Sequence, residues 1–197
     1  MSKQQEARFS AAEYLSMERS SNEKHEFAFG EIYAMGGASA NHVEIVGNLA
    51  GELRNQLRQR PCRVYSTDLR LCVDTKHRYT YPDVVVVCGQ PQFLDDQIDT
   101  LLNPDLIVEV LSESTRNYDR GDKFQQYRGI ASFREYLLVD QAKVHVERHT
   151  KQPDGTWSLW ETDSLVDTVR LESINVTLPL SEIYLKIEFN TAGESAV

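Results

Sequence analysis

The sequence is short of cysteine and has no long apolar run. Its 197 residues contain three cysteines, Cys62, Cys72 and Cys88, and no Cys-x-x-Cys pair. An odd number of scattered cysteines is not the pattern of a disulfide scaffold or of a structural zinc site. All three lie in strand-like segments, so we expect small, buried and unpaired side chains there.

Membrane and export signals are also missing. No apolar run approaches the roughly 18 to 20 residues that span a bilayer. The first residues, MSKQQEARFSAAEY, lack the apolar stretch of a secretory signal and are too acidic for a transit peptide. We therefore expect a cytoplasmic protein without a membrane partner. A length of 197 residues is that of one ordinary globular domain, and 41% hydrophobic residues suffice for a core, so we expect a single folded domain over 1–197.

Basic charge is scarce overall but concentrated in two segments. The net charge of −9 is unfavourable for a protein that binds nucleic acid through its phosphates. However, 12 of the 21 Lys and Arg residues lie in 54–78 and 116–134, together with only four of the 30 acids. Two interpretations fit this pattern, a local anion-binding face and ordinary solvated surfaces.

Local patterns predict the first helices. Ser10 and Glu13 have the spacing of a capping box, which predicts a helix near residue 10, and a hairpin is expected around Gly30. Apolar residues at helical spacing predict a helix from about residue 39 to residue 60, ended by Pro61. Its inward stripe is expected to be Val43, Val46, Leu49, Leu53 and Leu57.

Strands dominate the rest of the chain. The β-branched runs at 81–89 and 105–112 are apolar on both faces, which is typical of strands inside a covered sheet. The expected elements after Pro61 are strands at 62–74, 81–89 and 105–112, a helix at 120–130, a strand at 134–140, a hairpin of 143–150 with 156–163, and a short helix followed by a strand over 178–189. The order of helix, three strands, helix and strand indicates a mixed α/β or α+β domain.

Two acids occupy apolar surroundings on successive predicted strands. Glu109 lies within LIVEVL, and Asp83 follows Pro82 at the start of a run of four valines. A lone carboxylate is costly there unless it is paired, protonated or bound to a metal. Side by side, the two carboxylates would suit Mg²⁺ or Mn²⁺. The alternatives are a turn residue for Asp83 and an ion pair with an arginine for Glu109.

A cation is the third part of such a site. Metal-assisted cleavage of a phosphodiester needs positive charge near the attacking water and the phosphate. Lys123 lies in the predicted helix that follows Glu109, where it could point back over the end of that strand. The alternative is a solvated lysine near the start of a helix.

Several segments in order resemble the Uma2 family, which belongs to the PD-(D/E)XK, restriction-endonuclease-like superfamily. They are HEFAFGEIYAMGGASANH, YSTDLR, YPDVVVVCG, NPDLIVEVLSEST and DRGDKFQQYRGI, and the resemblance covers about residues 10–185. It implies an αβββαβ core with a central mixed sheet, flanking helices and extra β-hairpins. It also implies that Pro82-Asp83 is the PD element and that Glu109 is the second acid.

The sequence departs from the superfamily at one position. The superfamily places a lysine two residues after the second acid, where this chain has Leu111. The resemblance implies that Lys123 takes over that function. His42 and Glu26 also match the family pattern. His42 is expected to contact the metal shell or the phosphate, or to be structural, whereas Glu26 and Asp68 are weaker candidates.

These observations predict a Mg²⁺-dependent endonuclease that hydrolyses DNA. Asp83, Glu109 and the carbonyl group of Val110 would bind the metal, with Lys123 and His42 assisting. A homodimer is expected, since cutting two strands suits two copies of one site. Candidate contacts to the DNA backbone are Arg54, Arg58, Arg116, Arg120 and Arg128. The alternatives are a non-catalytic nucleic-acid-binding or oligomeric module of the same fold, and a phosphoesterase for small nucleotides.

Overall fold

The computed structural model describes residues 8–189, which begin with a capped helix. The Ser10 hydroxyl accepts a hydrogen bond from the Glu13 amide, and the Glu13 carboxylate accepts one from the Ser10 amide. This capping box starts α1, Ala11–Glu18, so the predicted first helix is confirmed.

The long helix α2, Ala40–Leu57, is capped by the Ser39 hydroxyl, which accepts a hydrogen bond from the His42 amide. Val43 is 60% exposed and does not belong to the buried stripe, because Ile45 takes the inward position one turn before Leu49. The buried residues of the stripe include Ile45, Val46, Leu49, Leu53 and Leu57. None of the helices within 8–189 has both the length and the apolar composition needed to cross a membrane.

A six-stranded sheet forms the centre of the molecule. Its strands are β3 (Cys62–Ser66), β6 (Val84–Cys88), β8 (Leu106–Leu111), β9 (Glu135–Asp140), β10 (Val146–Lys151) and β11 (Trp157–Thr162). Their order is β11-β10-β9-β8-β6-β3. β8 and β9 run parallel, whereas the other neighbouring pairs are antiparallel. A parallel pair needs a crossover, and the helical segment 116–127 provides it. With α2, this arrangement confirms the predicted αβββαβ core.

A second sheet has five strands. They are β1 (His25–Ala28), β2 (Glu31–Ala34), β4 (Arg70–Asp74), β5 (Arg78–Thr80) and β7 (Thr100–Leu101). Their order is β2-β1-β5-β4-β7, and β1 with β2 is the hairpin predicted around Gly30. The single strand expected over 62–74 is wrong, because the chain turns at Thr67, which has a positive φ, and β3 and β4 enter different sheets.

The six-stranded sheet is covered on both faces. α2, the hairpin of β12 (Thr168–Leu171) with β13 (Val176–Pro179), and α5 (Leu180–Ile183) contribute to the core on one face. The segment 116–127 packs on the other face, where Tyr127 meets Ile107 and Tyr136. This segment consists of α3 (Arg116–Tyr118), a π-helical turn (Asp119–Lys123) and α4 (Phe124–Tyr127).

Two sequence expectations about the edges of the core are wrong. The tail forms the short helix α5, but 184–189 contains turns and irregular structure in place of the expected strand. Cys62 and Cys88 are not unpaired, because they lie directly opposite each other in β3 and β6 and form a disulfide. Only the register of the two strands brings them together. Cys72 is buried and free, as expected.

Candidate active site

The two predicted acids meet at one end of β6 and β8. The antiparallel register pairs Val84 with Val108, so one step further along both strands places Asp83 beside Glu109. The amide of Val110 donates a hydrogen bond of 2.7 Å to Asp83 Oδ2, which fixes this carboxylate against β8. The juxtaposition expected from the sequence is therefore present.

Glu109 is a buried carboxylate with two polar contacts on one oxygen. Its side chain lies in a strand that is buried at every position. The Tyr127 hydroxyl donates a hydrogen bond of 2.8 Å to Oε1, and Lys123 Nζ lies 2.9 Å from the same atom. Burial raises the pKa of Glu109 to about 8, with Lys123 opposing this shift and Asp83 and Asp119 adding to it.

Lys123 is the cation of this site and faces three carboxylates. Its Nζ lies 2.9 Å from Glu109, 3.4 Å from Asp119 and 3.7 Å from Glu26. Burial alone would lower its pKa, but the carboxylates, chiefly Glu109, outweigh burial and hold the pKa well above 10.5. The amine is thus held in its charged form. We call these four residues the Lys123 cluster.

The π-helical turn explains how Lys123 reaches the sheet. Asp119 and Lys123 are its first and last residues, and both are buried. The wider turn points the two side chains towards β8. The hydroxyl of Tyr136, in β9, donates a hydrogen bond to the backbone carbonyl of Asp119. Single π-turns within helices occur frequently at functional sites.

His42 and Glu26 bring two further elements to the site. His42 lies in the first turn of α2, and its Nε2 is 2.9 Å from Asp83 Oδ1. A histidine in contact with a ligand carboxylate is a common way to orient that ligand. Glu26, in β1, accepts a hydrogen bond from the Thr80 hydroxyl and approaches Lys123, so the smaller sheet also borders the site.

The remaining candidates do not converge on this cluster. Asp68 is 80% exposed and pairs with Lys24 at 2.6 Å. Arg54 is exposed on α2, roughly 18 Å along the helix axis from His42, and Arg58 lies one turn further.

The arginines of the crossover segment have partners within the protein. Arg120 Nη2 lies 2.5 Å from Glu147, Arg116 Nη2 lies 3.9 Å from Asp140, and Arg128 stacks over the Phe124 ring at 5.2 Å. None of these contacts directs a guanidinium towards Lys123. Their role in DNA binding stays a prediction.

Sequence reasoning missed three polar members of the site. Asp119 was left out because the helix was expected to begin at residue 120. Tyr127 lies in the predicted helix over 120–130 and was given no role at the site, although its hydroxyl donates a hydrogen bond to Glu109. Thr80 belongs to β5, a three-residue strand too short to be predicted. A polar side chain alternating with Tyr79 and Tyr81 was the available signal.

The donor set fits a hard divalent cation. Asp83 and Glu109 offer carboxylate oxygens on adjacent strands, and both contacts of Glu109 fall on Oε1, so Oε2 takes part in neither. Mg²⁺ and Mn²⁺ prefer such oxygen ligands. Within 8–189, three metal-capable side chains offer atoms within 4.8 Å of one another at a different place, His145, Glu147 and Glu161.

The fold is of the restriction-endonuclease-like class, and paired acids with a nearby lysine are the residue types of a nuclease. The chain belongs to the Uma2 family, whose model is described as "Putative restriction endonuclease" and matches residues 11–181. This confirms the resemblance found in the sequence.

Two relatives and one solved structure are similar to this chain. The chain is 42% identical over 151 residues to the uncharacterized protein sll1609 of Synechocystis sp., covering 77% of this chain and 85% of that protein. It is 37% identical over 182 residues to the uncharacterized protein slr1290 of the same organism, covering 92% and 94%. The crystal structure of a putative nuclease belonging to DUF820 from Anabaena variabilis matches with a TM-score of 0.74 at 16% identity, covering 89% of this chain and 97% of that one.

Proposed function

We propose that this protein is a metal-dependent endonuclease that hydrolyses phosphodiester bonds in DNA. The observation that carries the proposal is the contact of 2.9 Å between Lys123 and Glu109, which lies beside Asp83. Asp83, Glu109 and Lys123 would together supply the two acids and the lysine of the superfamily, although Leu111 occupies the usual lysine position. The family and the fold support a nuclease, and the metal and the substrate are our inference from the site.

Asp83, Glu109 and the carbonyl group of Val110 would hold Mg²⁺ or Mn²⁺. When bound, the metal would supply Lewis-acid chemistry, polarising the phosphate and lowering the pKa of a water. His42 orients Asp83 from one side, and the Val110 amide does so from the other. Tyr127 fixes Glu109 through its hydroxyl, and burial keeps the pKa of that hydroxyl well above 10, so it stays a donor.

Lys123 performs the electrostatic part of the reaction. Its charged amine would orient the attacking water and offset the negative charge that develops on the phosphate. Asp119 and Glu26 hold the amine in place and favour its charged form. In our proposal, backbone contacts to DNA come from the exposed basic segments, and two copies of the chain together cut both strands.

Nicking of supercoiled plasmid at low salt with Mg²⁺ or Mn²⁺ tests the proposal. We expect wild type to nick and both Asp83→Asn and Lys123→Met to lose this activity while remaining folded. The control is Arg170→Gln, an exposed arginine on β12, which should behave as wild type. Unchanged nicking by Asp83→Asn would exclude this site as the source of the activity.

Absence of nicking in wild type would also be informative. If no DNA form is cut with either metal while DNA is still bound, the non-catalytic binding module becomes the better assignment. Hydrolysis of small nucleotide phosphodiesters without any cleavage of DNA would instead favour the phosphoesterase.

A further inference from the structure

A cavity of about 400 Å³ is lined in part by Arg78, whose Nη2 lies 4.0 Å from Glu26 of the Lys123 cluster. That volume lies in the range of sites for small molecules. Its lining comes from the five-stranded sheet and from the crossover segment. Phe29 and His77 lie in turns of that sheet, Arg78 lies in β5, and Gln126 lies in α4. The cavity therefore lies between β5 and the same helical segment that carries Lys123.

Arg78 is a buried cation with too few partners. The residue is 4% exposed, and its Nε has no hydrogen-bond acceptor among the described residues. Its nearest carboxylate is Glu26, whose Oε2 lies 4.0 Å from Nη2, and its guanidinium lies 5.4 Å from the centre of the Tyr118 ring. Buried guanidinium groups normally have acceptors for their five N–H donors, so this one points to an anionic ligand.

The other walls of the cavity suit a nucleotide. The Oε1 atom of Gln126 is buried without a hydrogen bond in the described part of the chain, so its amide can serve a polar ligand. The rings of Phe29 and His77 stack with their centres 6.0 Å apart, and Phe29 is 55% exposed at the rim. Exposed aromatic rings are platforms on which bases stack.

Two acidic side chains, Asp74 and Glu26, lie near Arg78, and the partners of each offset part of its negative charge. Asp74 also lines the cavity, but its carboxylate accepts hydrogen bonds from the Lys76 amide and from His77. Glu26 lies between Arg78 and Lys123, at 4.0 Å and 3.7 Å, so the two cations border one acidic side chain. A phosphate on Arg78 would thus lie near the Lys123 cluster, with Glu26 between the two cations.

We propose that this cavity is a subsite for the nucleotide next to the cleaved bond, with Arg78 binding its phosphate and Gln126 and Phe29 contacting the nucleoside. The inference rests on the proposed function for its place in the reaction. Binding at the cavity is independent of the proposed function, because a nucleoside monophosphate should occupy the cavity without metal or turnover. Arginine suits this role because its planar fork pairs with two phosphate oxygens.

Titration of the metal-free protein with thymidine 5′-monophosphate, followed by NMR, tests the subsite. We expect saturable shifts of the Arg78 Nε–H and Gln126 side-chain amide signals, and at least tenfold weaker binding of thymidine. Arg78→Gln should weaken binding of the monophosphate at least tenfold, whereas Arg170→Gln should leave it unchanged. Gln126→Leu should weaken binding severalfold. Because this variant keeps the charge of Arg78, it tests the subsite even if Arg78→Gln does not fold.

The outcomes separate this inference from the proposed function. Shifts that do not saturate, or equal affinity in wild type and Arg78→Gln or Gln126→Leu, would overturn the subsite even if wild type nicks plasmid. Specific binding of the monophosphate at Arg78 without nicking of any DNA would support the subsite and overturn the endonuclease. Nicking with a raised KM in Arg78→Gln would support both.

Discussion

Two groups of acids lie beside the segment 116–127, and each includes an acid from the six-stranded sheet. One is the Lys123 cluster. The other, which we call the Arg120 cluster, consists of Arg120, His145, Glu147 and Glu161. Each group receives a cation from the same helical segment. In the Arg120 cluster, Glu147 lies opposite Glu161 in the strand register and accepts contacts of 2.7 Å from Arg120 and 3.0 Å from His145.

The difference lies in how well the charges are balanced. Arg120 and His145 both bind Oε1 of Glu147, and Arg120 keeps 30% of its side chain exposed. Lys123 is 8% exposed in its side chain and faces three acids, with Asp83 close by. A buried surplus of negative charge is costly for stability and is the usual environment of a metal site. Proximity of metal-capable atoms alone would have selected the Arg120 cluster.

The largest contrast is expected in catalysis. Glu109→Gln should lower the nicking rate by about 10²- to 10³-fold, the size of effect that follows removal of one electrostatic stabiliser from an active site. Glu147→Gln removes another carboxylate from the same face of the sheet and should retain nicking. Initial rates of plasmid nicking under identical conditions make the comparison. Equal losses in both variants would show that the two clusters do not differ in function.

Stability should separate the two cations. Lys123→Met leaves two buried carboxylates, Glu109 and Asp119, and the partly buried Glu26 without their cation, and should lower the free energy of unfolding by about 3 to 5 kcal/mol. Arg120→Met removes a partly exposed pair and should cost about 1 kcal/mol or less. Urea unfolding at pH 8 without metal measures both. A larger loss for Arg120→Met would reverse our assignment of which cluster depends on its cation.

The sequence predicts the strand half of the site well. Asp83 precedes one β-branched run and Glu109 lies within another. Because the two runs are expected to form adjacent buried strands, the two acids are expected to lie side by side. The αβββαβ order of helices and strands is predicted in the same way, from the spacing of hydrophobic residues along the chain. The resemblance to a family was needed for Lys123, because a lysine in a helix is indistinguishable by pattern from a solvated one.

Several of the missed features depend on strand register or on local irregularity. The Cys62–Cys88 disulfide exists because β3 and β6 pair at that position, and no spacing along the chain reveals it. Asp119 joins Lys123 through a π-turn, which the 3.6-residue period does not describe. Arg120 appears as a basic surface residue in the sequence, although Glu147 from a distant strand engages it.

The two histidines offer a finer comparison. His42 lies 2.9 Å from Asp83 and His145 lies 3.0 Å from Glu147, with the same exposure of 17%. If His42 orients a metal ligand, His42→Ala should lower the nicking rate by about 10- to 100-fold. His145→Ala should leave the rate near that of wild type. Partial recovery of His42→Ala at high Mn²⁺ would identify a loss of metal affinity, whereas a similar loss in both variants would argue for a structural role.

The two clusters should also differ in how stability depends on pH. The pKa of Glu109 is raised from 4.5 to about 8 in the folded protein, mainly by burial, so the folded state binds more protons than the unfolded state in that interval. Stability without metal should therefore fall as pH rises from about 4.5 to 8, by at most about 1.4 kcal/mol per pH unit for one group.

Glu147 should act in the opposite direction. Burial opposes the shift, but hydrogen bonds from Arg120 and His145 lower its pKa below 4.5. Its contribution is present above its unfolded pKa and is lost as pH falls below it. Urea unfolding from pH 3.5 to 8.5 in EDTA should show a flatter high-pH slope in Glu109→Gln and a flatter low-pH slope in Glu147→Gln. If both substitutions flattened the same part of the pH profile, the two carboxylates would have similar environments. The two clusters would then not differ in charge balance.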